Sequence, residues 1–73
     1  MRRSMQQIQL KVKEVAEAKQ ITRAKLSRLA DVSPGTLEKI WKQPYHAVYL
    51  HTLVSIAQAL DVPITDLYVV EAF

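Results

Sequence analysis

Three residues, Asp31-Val32-Ser33, separate two short helical patterns, and both patterns open in the same way. Ile21-Thr22 is followed by Leu26, and Val32-Ser33 is followed by Leu37. In each case an apolar residue precedes a hydroxyl side chain suited to an N-cap. A second apolar residue follows five positions after the first. This is the spacing of a hydrophobic staple: the residue before the cap packs on the fourth helical residue and fixes the direction in which the chain enters the helix. Two helices joined by so short a turn have little freedom of relative orientation, and they form a helix-turn-helix unit.

The chain around this unit has 73 residues, enough for a single domain. A chain of this size buries only about 60% of its unfolded surface, so its core is marginal. With no cysteine, neither a disulfide nor a thiolate metal site can staple it. Packing, capping or dimerisation must supply the stability. No apolar run approaches the roughly 18 residues of a membrane span, and no apolar signal core follows Met1-Arg2-Arg3-Ser4-Met5. A cytoplasmic protein without membrane attachment is expected. The charge is sharply divided. All ten Lys and Arg lie in residues 1–42 against four acids, giving that half +6; residues 43–73 hold only Asp61, Asp66 and Glu71, giving −3. One half is suited to a polyanion, although a solvated basic surface would have the same composition.

Ile8, Val12, Val15 and Ala16 follow a helical stripe, while Ile8, Leu10 and Val12 alternate with Gln9 and Lys11 as in a strand. The helix formers of residues 14–20 favour a first helix over this whole stretch. The second helix is expected at 23–30, burying Leu26, Leu29 and Ala30. The third is expected at 34–42, with Pro34 at its favoured first position and Leu37, Ile40 and Trp41 inward. Residues 43–49 form a loop marked by Pro44. A fourth helix buries Leu53, Ile56, Ala57 and Leu60. Val48/Leu53 and Val62/Leu67 repeat the staple spacing, the latter around a short fifth helix near 63–68. Glycine is scarce, so Asp31 and Asp61 are expected to take left-handed turn positions.

This pattern resembles the phage-repressor helix-turn-helix family that includes Cro and the lambda repressor. Ile21-Thr22 through Leu26 to Ser33 is similar to its second helix and turn. Thr36-Leu37-Glu38-Lys39-Ile40 is similar to its recognition helix. Leu50-His51-Thr52-Leu53 through Ile56 to Pro63 is similar to its fourth helix and the start of its fifth. The likeness covers roughly residues 8–68. It implies an all-α, compact five-helix fold with the motif in helices 2 and 3, and a domain spanning 1–73 with a basic arm at 1–7 and an apolar tail at 69–73. The chain departs from the family pattern at the turn glycine (Asp31), after the third helix (Gln43), at an often acidic position (Trp41), and at the first two recognition positions (Pro34 and Gly35).

Helical geometry sets Gly35, Lys39 and Lys42 opposite Leu37, with Thr36 and Glu38 beside them. Lys39 can donate to guanine O6 or N7, and Thr36 can pair with several bases or touch a thymine methyl. Gly35 offers only close backbone approach. The base-facing candidates are therefore Gly35, Thr36 and Lys39, a thin set that leaves much of the specificity to DNA shape and backbone contacts. Phosphate contacts are expected from helix N-termini, with Ser33 at the start of the third helix, and from nearby cations; the resemblance implies Arg23 on one flank and Lys42 with the loop residues Tyr45 and His46 on the other. Arg2 and Arg3 offer an arm along the duplex, or a solvated terminus.

Catalysis and cofactors are not expected. Ser27, Ser33 and Ser55 lack a His-acid pattern, one glycine cannot build a phosphate loop, and His46 and His51 lack partners at metal-ligand spacing. Trp41 is read as a boundary core residue, with a dimer contact as the rival. The tail Tyr68-Val69-Val70-Glu71-Ala72-Phe73 is β-prone. It can fold back on its own core or pair with its mate in a homodimer, which the small core favours. The resemblance implies a transcriptional regulator that binds double-stranded DNA and represses by promoter occupancy. The alternative is a protein-interaction module, such as the antitoxin half of a toxin pair or a subunit of a larger complex with a protein partner. RNA binding is a weaker third reading, because exposed aromatics do not cluster in the sequence.

Overall fold

The computed structural model describes residues 5–72. A strand β1 (Gln6–Leu10) leads into α1 (Val12–Ala18), α2 (Arg23–Ala30), α3 (Pro34–Lys42) and α4 (Leu50–Leu60). A 3-10 turn (Ile64–Leu67) then feeds strand β2 (Tyr68–Ala72). The two strands pair antiparallel, with Ile8 opposite Val70 and Leu10 opposite Tyr68.

Three helices end in the same way. Gln20, Asp31 and Asp61 adopt left-handed conformations with φ of 59°, 55° and 57°. The next residue in each case, Ile21, Val32 or Val62, donates its N–H to the carbonyl five residues back, on Ala16, Ser27 or Ala57. This pairing satisfies a carbonyl left over at the helix end, and the following apolar residue folds onto the core. The sequence expectation for Asp31 and Asp61 holds; Gln20 is the third such site. At the central turn the Ser27 hydroxyl adds a 2.6 Å bond to the Val32 carbonyl, so residues 27 and 32 are joined twice.

The staples are in place. Leu26, Leu37, Leu53 and Leu67 are buried, as is Val32, and Ile21, Val48 and Val62 pack against the same core. Thr22 and Ser33 accept hydrogen bonds from the N–H groups of Lys25 and Thr36, as N-caps should. Tyr49 precedes α4 without a side-chain cap bond. Val12, Ala16, Ile40, Ile56 and Leu60 complete the interior, and Trp41 packs at its edge. Among the described residues no charged or polar side chain is buried, and no helix is long and apolar enough to cross a membrane.

The five-helix, all-α expectation is corrected: the described residues form four α-helices and a two-stranded antiparallel sheet. The expected first helix begins only at Val12, because Gln6–Leu10 pairs with β2 along its whole length. Alternation in Ile8-Gln9-Leu10 was the correct signal, but its partner lies some sixty residues away, where local propensity cannot detect it. The expected fifth helix at 63–68 is a 3-10 turn of four residues, since Tyr68 is already extended and belongs to β2. Leu29, expected inside, is 52% exposed. The tail lies on its own chain. Gln6 and Gln7 of the expected basic arm belong to β1, whereas Arg2, Arg3 and Phe73 lie outside the described residues.

Two substitutions test this architecture. Asp31→Gly relieves left-handed strain and should stabilise the fold by about 0.5–1 kcal/mol. Leu37→Ala removes a buried staple residue and should cost about 2–5 kcal/mol. Urea denaturation followed by circular dichroism measures both; a lower midpoint for Asp31→Gly would contradict the first.

Candidate nucleic-acid interface

The turn presents α3 with its apolar side down and its polar side out. Leu37 and Ile40 are buried, while Gly35, Thr36, Glu38, Lys39 and Lys42 are exposed. The helix start is rigid. Ser33 accepts from the Thr36 N–H at 3.2 Å, and the Ser33 hydroxyl donates to Thr36 Oγ1 at 2.8 Å.

Two grooves flank α3, so that its exposed surface is a ridge between them. One, of about 490 Å³, lies on the α4 side and is lined by Thr36, Lys39, His46, Val48, Tyr49 and Thr52, among others. The other, of about 350 Å³, lies on the α2 side and is lined by Arg23, Ser27, Arg28, Pro34, Gly35 and Glu38, among others. The first contains a lysine and a histidine and no acid. The second contains two arginines against one glutamate. The exposed face of α3 is thus a ridge with a cation-bearing groove on each side.

A family model for the Cro/C1-type HTH DNA-binding domain matches residues 11–72. The chain belongs to this family. No curated protein matches the sequence. The matched span runs from just before α1 through β2 and leaves β1 outside. In helix-turn-helix proteins generally the second helix of the unit lies in the major groove; α3 is the second helix of the unit here.

On this Cro/C1-type domain the residues singled out from the sequence fall into distinct groups. Thr36, Lys39 and His46 meet around the α4-side groove. Gly35 and Arg23 meet around the α2-side groove. Ser33 is engaged as the cap of α3. Lys42 forms an ion pair with Glu38 at 2.9 Å, one turn back on the same helix. Tyr45 is exposed, and Glu71 of β2 raises its pKa. Sequence reasoning missed Arg28, Tyr49 and Thr52. Arg28 carried a signal, as the second arginine of α2. Tyr49 and Thr52 carried none, because only the folded path of the 43–49 loop brings them beside α3. The Tyr49 and His51 rings stack with centroids 5.5 Å apart at the start of α4.

The Lys42 pair has a measurable signature. Lys42 lowers the Glu38 pKa, first by hydrogen bonding and then by its charge, and Arg23 adds a smaller pull. A lowered carboxylate pKa favours the folded state above the ordinary carboxylate value, and that contribution is lost as pH falls through the lowered one. Both side chains are exposed, so the effect on stability is small and screened by salt. In a side-chain carboxyl NMR titration, Glu38 should titrate below the ordinary glutamate value and move back up in Lys42→Ala. An unshifted Glu38 in the native protein would show the pair to be broken in solution.

Proposed function

We propose that this Cro/C1-type domain is a single-domain transcriptional regulator that binds duplex DNA as a two-fold homodimer. It represses by occupying promoter DNA in the cytoplasm. The observation that carries the reading is the α3 ridge between two cation-bearing grooves. Gly35, Thr36 and Lys39 face the bases. Lys39 donates to guanine, and Thr36 offers a hydroxyl and a methyl group. Arg23 on one flank and His46 on the other meet phosphates, with the N–H groups at the start of α3 beneath Ser33 assisting. Lys42 reaches phosphate by exchanging Glu38 for it. With so few base-reading side chains, DNA shape and backbone contacts supply much of the specificity.

The two-fold dimer is supported by the sheet. Ile8 and Val70 stand opposite each other, 53% and 54% exposed, as an apolar surface on a small protein. Two recognition helices would then read half-sites about one helical turn apart. The same apolar pair also suits a protein partner, and it is the observation that favours the second reading, a protein-interaction module.

Titration into random-sequence duplex DNA across a salt series tests the proposal. A fall equivalent to roughly four or more phosphates, at about 0.9 log units each, is expected. Negligible binding at low salt would overturn the DNA reading in favour of the interaction module. Gly35→Ala sharpens the test. A Cβ there meets nothing within 4 Å, so the fold should gain about 0.5–1 kcal/mol of helix stability. DNA affinity should nevertheless fall, because the added methyl occupies the space of close approach. A variant that is more stable and binds equally well would remove Gly35 from the interface.

A further inference from the structure

One acid stands on the exposed face of α3. Gly35, Glu38, Lys39 and Lys42 are spaced i, i+3, i+4 and i+7, so they form a single stripe along the helix, opposite the buried Leu37 and Ile40. Glu38 lies in the middle of that stripe, with its side chain 48% exposed. It also lines the α2-side groove, together with Arg23, Arg28 and Gly35. Lys42 donates to its Oε1 at 2.9 Å, and the charge of Arg23 adds to the pull that keeps it ionised. An ionised carboxylate is an acceptor only, and its second oxygen has acceptor sites to spare. The fold gains little from it, because an exposed i, i+4 pair contributes little to stability. On a face that meets a polyanion the same charge is unfavourable, since it repels every phosphate nearby.

We propose that Glu38 is a specificity-determining residue of the DNA site, whose carboxylate accepts a hydrogen bond from the N4 amino group of a cytosine in the major groove. The inference rests on the DNA reading above. The choice of base follows from what each base presents in that groove. Guanine presents two acceptors, and thymine an acceptor and a methyl group, so both oppose a carboxylate. Adenine sets its N6 donor beside the N7 acceptor, which repels the carboxylate as the donor attracts it. Cytosine alone presents a donor with no acceptor of its own. Glu38 thus discriminates as much by repelling wrong bases as by attracting the right one. Its neighbour Lys39 has the complementary property, a donor suited to guanine. When Lys42 moves to a phosphate it releases Oε1, and both oxygens of Glu38 then face the groove as acceptors.

Site selection from a randomised duplex library compares the native protein with Glu38→Ala, Glu38→Gln and Lys42→Ala. Fluorescence titration of labelled duplexes that differ only at the selected position then gives the ratios. The native protein should select cytosine at one position per half-site. It should bind that duplex roughly five- to tenfold more tightly than one with guanine or thymine there, the lower end of the range for one wrong base pair. Glu38→Ala should lose this preference while binding random-sequence duplex up to roughly fivefold more tightly, the range of one exposed charge interaction. Glu38→Gln sets a donor beside the acceptor and should move the preference to adenine. Lys42→Ala should weaken binding to all sequences alike and keep the cytosine. Each preference is a ratio within one variant, so a change in stability scales all sequences together and leaves it unaltered. A cytosine preference that survives in Glu38→Ala, or no cytosine position in the native protein, would overturn the proposal and leave the DNA reading standing. If the native protein binds no duplex even at low salt, the DNA reading fails and the proposal falls with it.

Discussion

Ile21, Val32 and Val62 each belong to two elements at once, and the rest of the fold depends on this. Each closes the helix before it by returning an N–H to a carbonyl five residues back. Each also begins the element after it as the first half of a hydrophobic staple. One side chain on the core thus fixes both the end of one helix and the direction of the next, and the left-handed residue before it supplies the bend. In a chain without disulfides and with a marginal core, this economy matters. The angle between α2 and α3 is set by Val32, and it is tightened by the double link between Ser27 and Val32.

The exposed face of α3 follows from that angle. With Leu37 and Ile40 held inward, α3 has no choice about which residues face out, and the flanking cations fall where α2 and the α3–α4 loop place them. Arg23 stands at the first position of α2, one residue after the Thr22 cap. Its position is therefore determined by capping as much as by electrostatics. His46 is different. It depends on a loop, and the loop depends on a sheet whose strands come from the two ends of the described chain. The α2 flank is locally encoded, whereas the α4 flank is assembled over long range.

That division also explains what was legible in the sequence. Staples, caps and left-handed breaks are local devices, each contained within six residues, and they appear in the structure where the spacing placed them. Asp31 and Asp61 were legible because so little glycine is available; Gln20 was not, because glutamine is an ordinary helix former. Ile8-Gln9-Leu10 carried both a helical and a strand period. The choice between them was made by Val69 and Val70, far away in sequence. The same pairing shortened the fifth helix to a 3-10 turn. Among the candidate site residues, Gly35, Thr36 and Lys39 were read from helical geometry, and Arg23 from the family resemblance. The engagement of Lys42 by Glu38 was readable in principle from their i, i+4 spacing. The bond from the Leu10 N–H of β1 to the Pro44 carbonyl of the loop was not, since it joins residues far apart in the chain.

The single glycine carries the last part of the argument. Among the described residues three positions are left-handed, where glycine would be least strained, and they are filled by Gln20, Asp31 and Asp61. Gly35 stands instead in the first turn of α3, where glycine weakens a helix and where an added Cβ meets no protein atom. Neither backbone conformation nor internal packing accounts for it there. It lies on the exposed ridge between the two grooves, beside Thr36 and near Lys39. What a missing side chain provides at such a place is room, and on the proposed DNA reading that room would let a duplex backbone come close to the start of α3.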